Sequence, residues 1–287
     1  MNHTPSVGGY RGRLAPSPTG LLHIGHARTF GIAARRAHEN GGALVLRNED
    51  LDPQRCRAHY VTTMFEDLRW LGLQWTEGPD CGGPHAPYSQ SDRRSYYLAA
   101  WRKLRDEGRI YPCTCSRKDL ASAASAPNEV DDEPIYPGRC RVRTDAKNFV
   151  TPAGVNWRFR VPDGEAISFV DLRRGLQTFI AGRDFGDFVV WRRDDVPAYQ
   201  LAVTADDAEM RITEVVRGAD LIKSTARQLL LFQALRCPPP AYYHCDLVPD
   251  RSGRRMAKRN DSASIRHLRE SGWAPVEVLR HADTLAR

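Results

Sequence analysis

Residues 13–42, RLAPSPTGLLHIGHARTFGIAARRAHENGG, restrict the fold more than any other stretch. An apolar segment ending in Leu14 runs through a Pro16-Ser17-Pro18-Thr19-Gly20 turn into His23-Ile24-Gly25-His26 and a long helical segment that stops at Gly41-Gly42. The order is strand, loop, helix. At such a junction the N–H groups of the first helical turn face an anion, Gly25 lets a ligand approach the backbone, and two imidazoles can flank it. The expected ligand is a polyphosphate, although neither a Gly-x-x-x-x-Gly-Lys-Ser/Thr loop nor a Gly-x-Gly-x-x-Gly turn is present. Taken alone, His-x-x-His serves equally as a structural pair or half of a metal site.

The pattern further along is strand and helix in alternation. LRNED (46–50) reads as strand-like, and Asp52-Pro53 offers an N-cap and first-turn proline for a helix to about Leu71, with Val61, Met64, Phe65 and Leu68 at helical spacing. A helix from Asp92 to Gly108 carries Tyr96 and Tyr97, for which core packing competes with stacking on bases. From Tyr111 the texture changes to a low-complexity piece, ASAASAPNEVDDEP, and the short alternating strands NWRFRV, AISFVD and LQTFI. The α/β texture returns with DFVVWRRDDVPAYQLAVTADDAEM, a helix from about Ser224 to Leu235 and YYHCDLV. An α/β fold with a parallel sheet is expected, divided into residues 10–110, an inserted α+β module at 111–187, a second half at 188–260 and a short helical tail at 261–287.

Charge and cysteine usage limit the partners. Lys and Arg number 42 against 35 Asp and Glu, a net +7 that suits a polyanionic partner and equally a solvated basic surface. No apolar run is long enough for a membrane span, and MNHTPSVGGY has neither the basic start nor the apolar core of a signal peptide, so a cytoplasmic monomer is expected. Seven cysteines, an odd number, argue for reduced thiols and a metal rather than a disulfide frame. Cys113-x-Cys115 with Tyr136-x-x-x-Cys140 could supply three thiolates and a phenolate to a tetrahedral zinc; the alternative is three unligated thiols. Cys56, Cys81, Cys237 and Cys245 have no matching spacing and are expected to pack; the remaining histidines, His244 among them, have no partner pattern.

His23 to His26 form an intact HIGH signature, and about 230 residues later GRRMAKRND (253–261) follows a strand as a basic, Gly-containing loop. The pair resembles the class I aminoacyl-tRNA synthetases, in which a KMSKS loop holds the second position; here it reads Arg255-Met256-Ala257-Lys258-Arg259. The resemblance implies a Rossmann-type parallel sheet, ATP binding by His23, Gly25, His26, Met256 and Lys258, catalysis by His23, His26 and Lys258, and Mg²⁺ accompanying ATP. RLAPSPTG, RNED, AYQLA and VVRGADL resemble the blocks of the glutamyl-tRNA synthetases. That subfamily implies L-glutamate as substrate, with Arg13, Ala15 and Ser17 lining its pocket, Glu49 taking its α-ammonium, and Tyr199 with Arg217 holding its side-chain carboxylate. The physical chemistry agrees, since a buried carboxylate requires a guanidinium and a buried ammonium a carboxylate.

Two features depart from that subfamily: Val203 stands where the tRNA-charging enzymes commonly carry Asn, and only 28 residues follow Arg259, too few for a helical anticodon-binding region. Both are similar to the glutamyl-Q tRNA(Asp) synthetases, which resemble the catalytic portion alone. This implies activation of glutamate without tRNA, transfer to queuosine in the anticodon of tRNA(Asp), and a zinc held by Cys113, Cys115, Tyr136 and Cys140. A truncated glutamyl-tRNA synthetase charging a 3′ end and an inactive tRNA-binding paralogue are the alternatives.

Overall fold

A computed structural model describes residues 9–116, 135–248 and 264–286. The low-complexity piece and the 253–261 loop, with Met256 and Lys258, lie outside the described residues. The chain divides into two compact units, Met1–Arg93 with Met210–Ala219 and Pro240–Arg287, and Arg94–Glu209 with Asp220–Pro239.

The first unit starts with β1 (Arg11–Leu14), α1 (Ile24–Glu39) and β2 (Ala43–Leu46), and β1 pairs parallel to β2 from Arg11↔Ala43 to Leu14↔Leu46. A parallel pair needs a crossover, and α1 supplies it. Its buried face, Ile24, Ala27, Phe30, Ala33 and Ala37, recurs at three- and four-residue spacing and lies in one apolar cluster with Leu14, Leu44, Leu46 and Leu68. The turn into β2 depends on Gly42, where a Cβ would lie 2.3 Å from the Tyr10 carbonyl oxygen. Arg36 near the end of α1 forks onto Glu214 (2.5 and 2.8 Å) at the start of the strand Glu214–Gly218.

Two expectations shift here. The strand is Ala43–Leu46, so of 46–50 only Leu46 lies in it; the next residues continue extended, with Arg47 N–H bonding Leu14 O, Glu49 N–H bonding Pro16 O and Asn48 N–H bonding Tyr88 O, but pair only as an isolated bridge, Asn48↔Ser89. The following helix, α2 (Ala58–Trp70), starts later than Asp52-Pro53. Asp52 instead closes a turn, accepting from the N–H groups of Gln54, Arg55 and Cys56, and the chain reaches the helix only after Arg57 N–H has bonded Pro18 O.

The second unit opens with α3 (Arg94–Asp106), preceded by a short 3₁₀ turn at Gln90–Asp92, so the helix starts two residues after the expected Asp92. Tyr97 is fully buried and donates to Asp206 Oδ2 (3.0 Å), which settles it as a packing residue. β3 (Ile110–Cys113), β4 (Asn156–Phe159), β5 (Ala166–Asp171), β6 (Gly175–Ile180) and β7 (Val189–Trp191) follow. β3, β4 and β7 form an antiparallel sheet, and β5 and β6 a hairpin. α4 (Tyr199–Glu209) and α5 (Ile222–Leu235) complete this unit.

Back in the first unit, β8 (Glu214–Gly218) pairs parallel to β9 (Ala241–Cys245), and α6 (Ile265–Glu270) and α7 (Pro275–Leu285) add Ile265, Val278 and Ala282 to its core. The expected α/β chain with parallel strands is what the structure contains. Among the described residues no helix is long and apolar enough to cross a membrane.

Candidate active site and metal centre

The N-terminus of α1 is built by the two histidines themselves. His23 is the N-cap, in extended conformation, and its Nδ1 accepts the N–H of Gly25 (3.1 Å); the Nδ1 of His26 accepts the N–H of His23 (3.1 Å). This is a capping box made of imidazoles. An Nδ1 that accepts places the ring proton of the neutral imidazole on Nε2 in both residues, so each ring keeps a donor on its far edge. The rings lie 3.8 Å apart. The space over Gly25 is filled by His23, whose ring atoms would be 3.0 and 3.1 Å from any Cβ there.

Both flanks of residues 249–263 end at this same place. Val248 lies in the cluster around Ile24, and Ser264 bridges His23 while Ile265 N–H bonds Leu22 O (2.7 Å).

Charged groups are buried in the same unit. Arg13, on β1, donates to Val216 O (3.2 Å), the residue before Arg217 on β8. Arg217 donates through Nε to His244 Nε2 (3.1 Å) and lies over the Tyr242 ring. Glu49 accepts from Arg47 Nη2 at 3.0 Å. Arg13, Arg47, Glu49, Arg217 and His244 are all buried, and a protein retains buried charges only where they are paired. Ala15 and Ser17 are partly buried in the loop between β1 and α1, and Tyr199 heads α4 in the second unit; Val203 is buried on that helix. Sequence reasoning missed Arg47 and His244. His244 faces Arg217 only through the β8–β9 register, Arg217↔His244, a pairing that spacing does not reveal.

The metal-ligating candidates converge in the second unit. The sulfurs of Cys113, Cys115 and Cys140 lie within 4.8 Å of one another, close enough to hold a metal ion. Cys115 Sγ and Cys140 Sγ are 3.7 Å apart, and Tyr136 Oη lies 3.4 Å from both Cys113 Sγ and Cys115 Sγ while accepting the N–H of Cys140 (2.9 Å). Tetrahedral zinc with ordinary bond lengths requires about 3.8 Å between two sulfurs and about 3.5 Å between sulfur and oxygen. All three distances fit. Burial pushes the thiol of Cys140 up, but hydrogen bonds from Tyr136, the Thr114 backbone and Cys115 bring it down to about 7; burial raises Cys115 and Tyr136. Of the other cysteines Cys245 is buried, as expected, whereas Cys81 is exposed.

Residues 10–285 match the family described as tRNA synthetases class I (E and Q), catalytic domain. The chain belongs to this family. A class I synthetase is a ligase, and the family implies ATP, an amino acid and tRNA as substrates, with Mg²⁺ accompanying the ATP. Among similar proteins, a glutamyl-Q tRNA(Asp) synthetase of Symbiobacterium thermophilum is 47% identical over 94% of this chain and 84% of its own length. One of Nitratidesulfovibrio vulgaris is 45% identical over 96% and 86%. Glutamate–tRNA ligase 2 of Nitrosococcus oceani is 43% identical over 94% of this chain but only 57% of its own length. The solved glutamate tRNA ligase of Elizabethkingia meningosepticum, in complex with its amino acid, superposes with a TM-score of 0.79 at 29% identity, covering 96% of this chain and 60% of that one.

Proposed function

We propose that this class I synthetase activates L-glutamate with ATP to glutamyl-adenylate, without needing tRNA, and passes the glutamyl group to queuosine in the anticodon of tRNA(Asp). The observation that carries this reading is the order of identity among the relatives. The two glutamyl-Q tRNA(Asp) synthetases are 47% and 45% identical over 94% and 96% of this chain, above the 43% over 94% of the glutamate–tRNA ligase of Nitrosococcus oceani. A cytoplasmic monomer with one structural zinc belongs to the same reading.

Activation is attack of the glutamate α-carboxylate on the α-phosphorus, with pyrophosphate leaving. The nucleophile is ionised at neutral pH, so no general base is required, and catalysis rests on position and on neutralising phosphate charge. The Nε2–H groups of His23 and His26 donate to the phosphates, and Lys258 adds a cation from the loop whose flanks end beside His23. Arg217 holds the acidic side chain, Arg13 lines its pocket, and Glu49, held by Arg47, takes the α-ammonium. Ala15 and Ser17 line the pocket. Bound zinc supplies cross-linking of the Cys113, Cys115, Tyr136 and Cys140 segments and no step of the reaction.

The test is glutamate-dependent ATP–pyrophosphate exchange without tRNA, set against glutamine and aspartate, followed by transfer to tRNA(Asp) with and without queuosine. Exchange with glutamate alone and acceptance only by queuosine-containing tRNA is the expected result. Equal charging of tRNA lacking queuosine would instead mark a truncated ligase acting at the 3′ end.

A further inference from the structure

Two arginines, Arg158 on β4 and Arg160 just past its end, lie over the aromatic rings packed with the cysteine cluster. Arg158 lies opposite Tyr111 in the β3–β4 register, and its buried guanidinium sits over the ring of Tyr136, 4.1 Å from the centroid, while donating to Asp187 O (2.8 Å). Arg160, two residues on, lies over the ring of Tyr111 (4.6 Å) and donates to the carbonyls of Arg141 and Arg143. The two arginines therefore do different things. Arg160 holds the backbone of the segment after Cys140, whereas Arg158 places its charge on the very ring that brings Oη to the sulfurs.

A divalent cation bound by three thiolates and one phenolate leaves an excess of two negative charges in a half-buried site. Such an excess is costly unless a cation lies close by. Partners outside the ligand shell fix ligand orientation and contribute strongly to affinity. We propose that Arg158 is the positioning residue of the metal centre, clamping the Tyr136 ring so that its oxygen meets the three sulfurs and offsetting the negative charge of the loaded donor set. This rests on the zinc reading above and extends it to a residue that is not itself a ligand. A merely structural arginine at this position would stabilise the fold whether or not Tyr136 carried an oxygen, and that difference can be measured.

The experiment is the zinc affinity of the full chain, by competition with a chromophoric chelator, in Arg158→Met, Arg158→Lys, Tyr136→Phe and the Tyr136→Phe/Arg158→Met double variant. Arg158→Met is expected to weaken zinc binding by roughly 10- to 100-fold, the span found for outer partners of metal ligands. Arg158→Lys, which keeps the charge, loses much less. In the Tyr136→Phe background the Arg158→Met change has a clearly smaller effect, because the oxygen it clamps is gone and the excess charge it offsets falls from two to one. The same loss in both backgrounds, or wild-type affinity in Arg158→Met, overturns the proposal. Should Arg158→Met fail to fold, the lysine variant decides, and a loss as large as that of Tyr136→Phe counts against charge offset. An unsubstituted protein that takes up no zinc would remove the zinc reading itself, an outcome separable from any effect of Arg158.

Discussion

Asp67 on α2 is fully buried, and neither carboxylate oxygen has a hydrogen-bond partner. Burial raises its pKa to about 6; Arg266 and Arg269 oppose this, while Glu66 and Glu270 add to it. A carboxyl raised in the folded state binds its proton more tightly there than in the unfolded chain. Its penalty is thus absent below about pH 4, grows as pH rises towards 6 and is complete above that. Asp67→Asn is expected to raise stability at pH 8 by on the order of 1 kcal/mol, about 3 kcal/mol of charge penalty less about 2 for an unsatisfied amide, and to flatten the pH profile between 4 and 6. Urea unfolding at pH 4, 6 and 8 checks it, and parallel profiles for both proteins would refute it. His244 gives a second case. Its Nε2 takes the Nε–H of Arg217, so His244→Phe leaves a buried donor unsatisfied and the guanidinium unaimed. The KM for glutamate in pyrophosphate exchange should rise about tenfold, with a smaller change in kcat, since about 1–2 kcal/mol of orientation is lost from binding. Neither residue was legible in the sequence. His23, Arg13, Glu49 and Arg217 stood out because they lie in blocks with a recognisable order, whereas Asp67 and His244 acquire their character only from what packs around them.

Among the elements, those whose ends are set by local chemistry were readable and those set by distant partners were not. α1 could be placed because its cap and stop are in its own sequence, His23 at one end and Gly41-Gly42 at the other. The start of α2 could not, because Asp52 spends its side chain on a turn and the helix waits for Arg57 to meet Pro18, thirty-nine residues away in the chain. Gly42 illustrates how tightly β1, α1 and β2 are joined. Its backbone angle is ordinary, so the constraint is space: an added methyl would collide with the Tyr10 carbonyl oxygen at 2.3 Å and with the Tyr10 ring at 2.7 Å. Ala43 N–H bonds that same carbonyl, so the clash cannot be relieved without breaking the first rung between the strands. Gly42→Ala is expected to cost at least 2–3 kcal/mol, at or above the usual range for overpacking. Gly9→Ala, with nothing within 4 Å, should leave the melting temperature unchanged. If both variants melt alike, the turn is more pliable than its geometry indicates.

The two compact units divide the assigned chemistry unequally. His23, His26, Arg13, Glu49 and Arg217 are in the first unit, and Cys113, Cys115, Tyr136 and Cys140 are all in the second. Composition hinted at part of this: the odd cysteine count pointed to a metal, and the change of texture at Tyr111 marked where its ligands begin. What composition could not show is that the second unit also contains α3, α4 and α5, which flank the insertion in sequence and fold with it. A consequence follows for metal removal. With the zinc proposed above bound, a chelator would leave three sulfurs within 4.8 Å with nothing to share, and the segments they tie together would lose a cross-link. If a few kcal/mol of folding free energy is lost, the melting temperature should fall by on the order of 10 °C. Glutamate-dependent exchange measured well below that transition should keep most of its rate, because the groups proposed to neutralise phosphate and hold glutamate lie mainly in the first unit. Calorimetry and exchange on the same chelated sample test both halves. Immediate loss of exchange on chelation at low temperature, reversed by zinc, would mean that the metal centre does more than hold its own unit together.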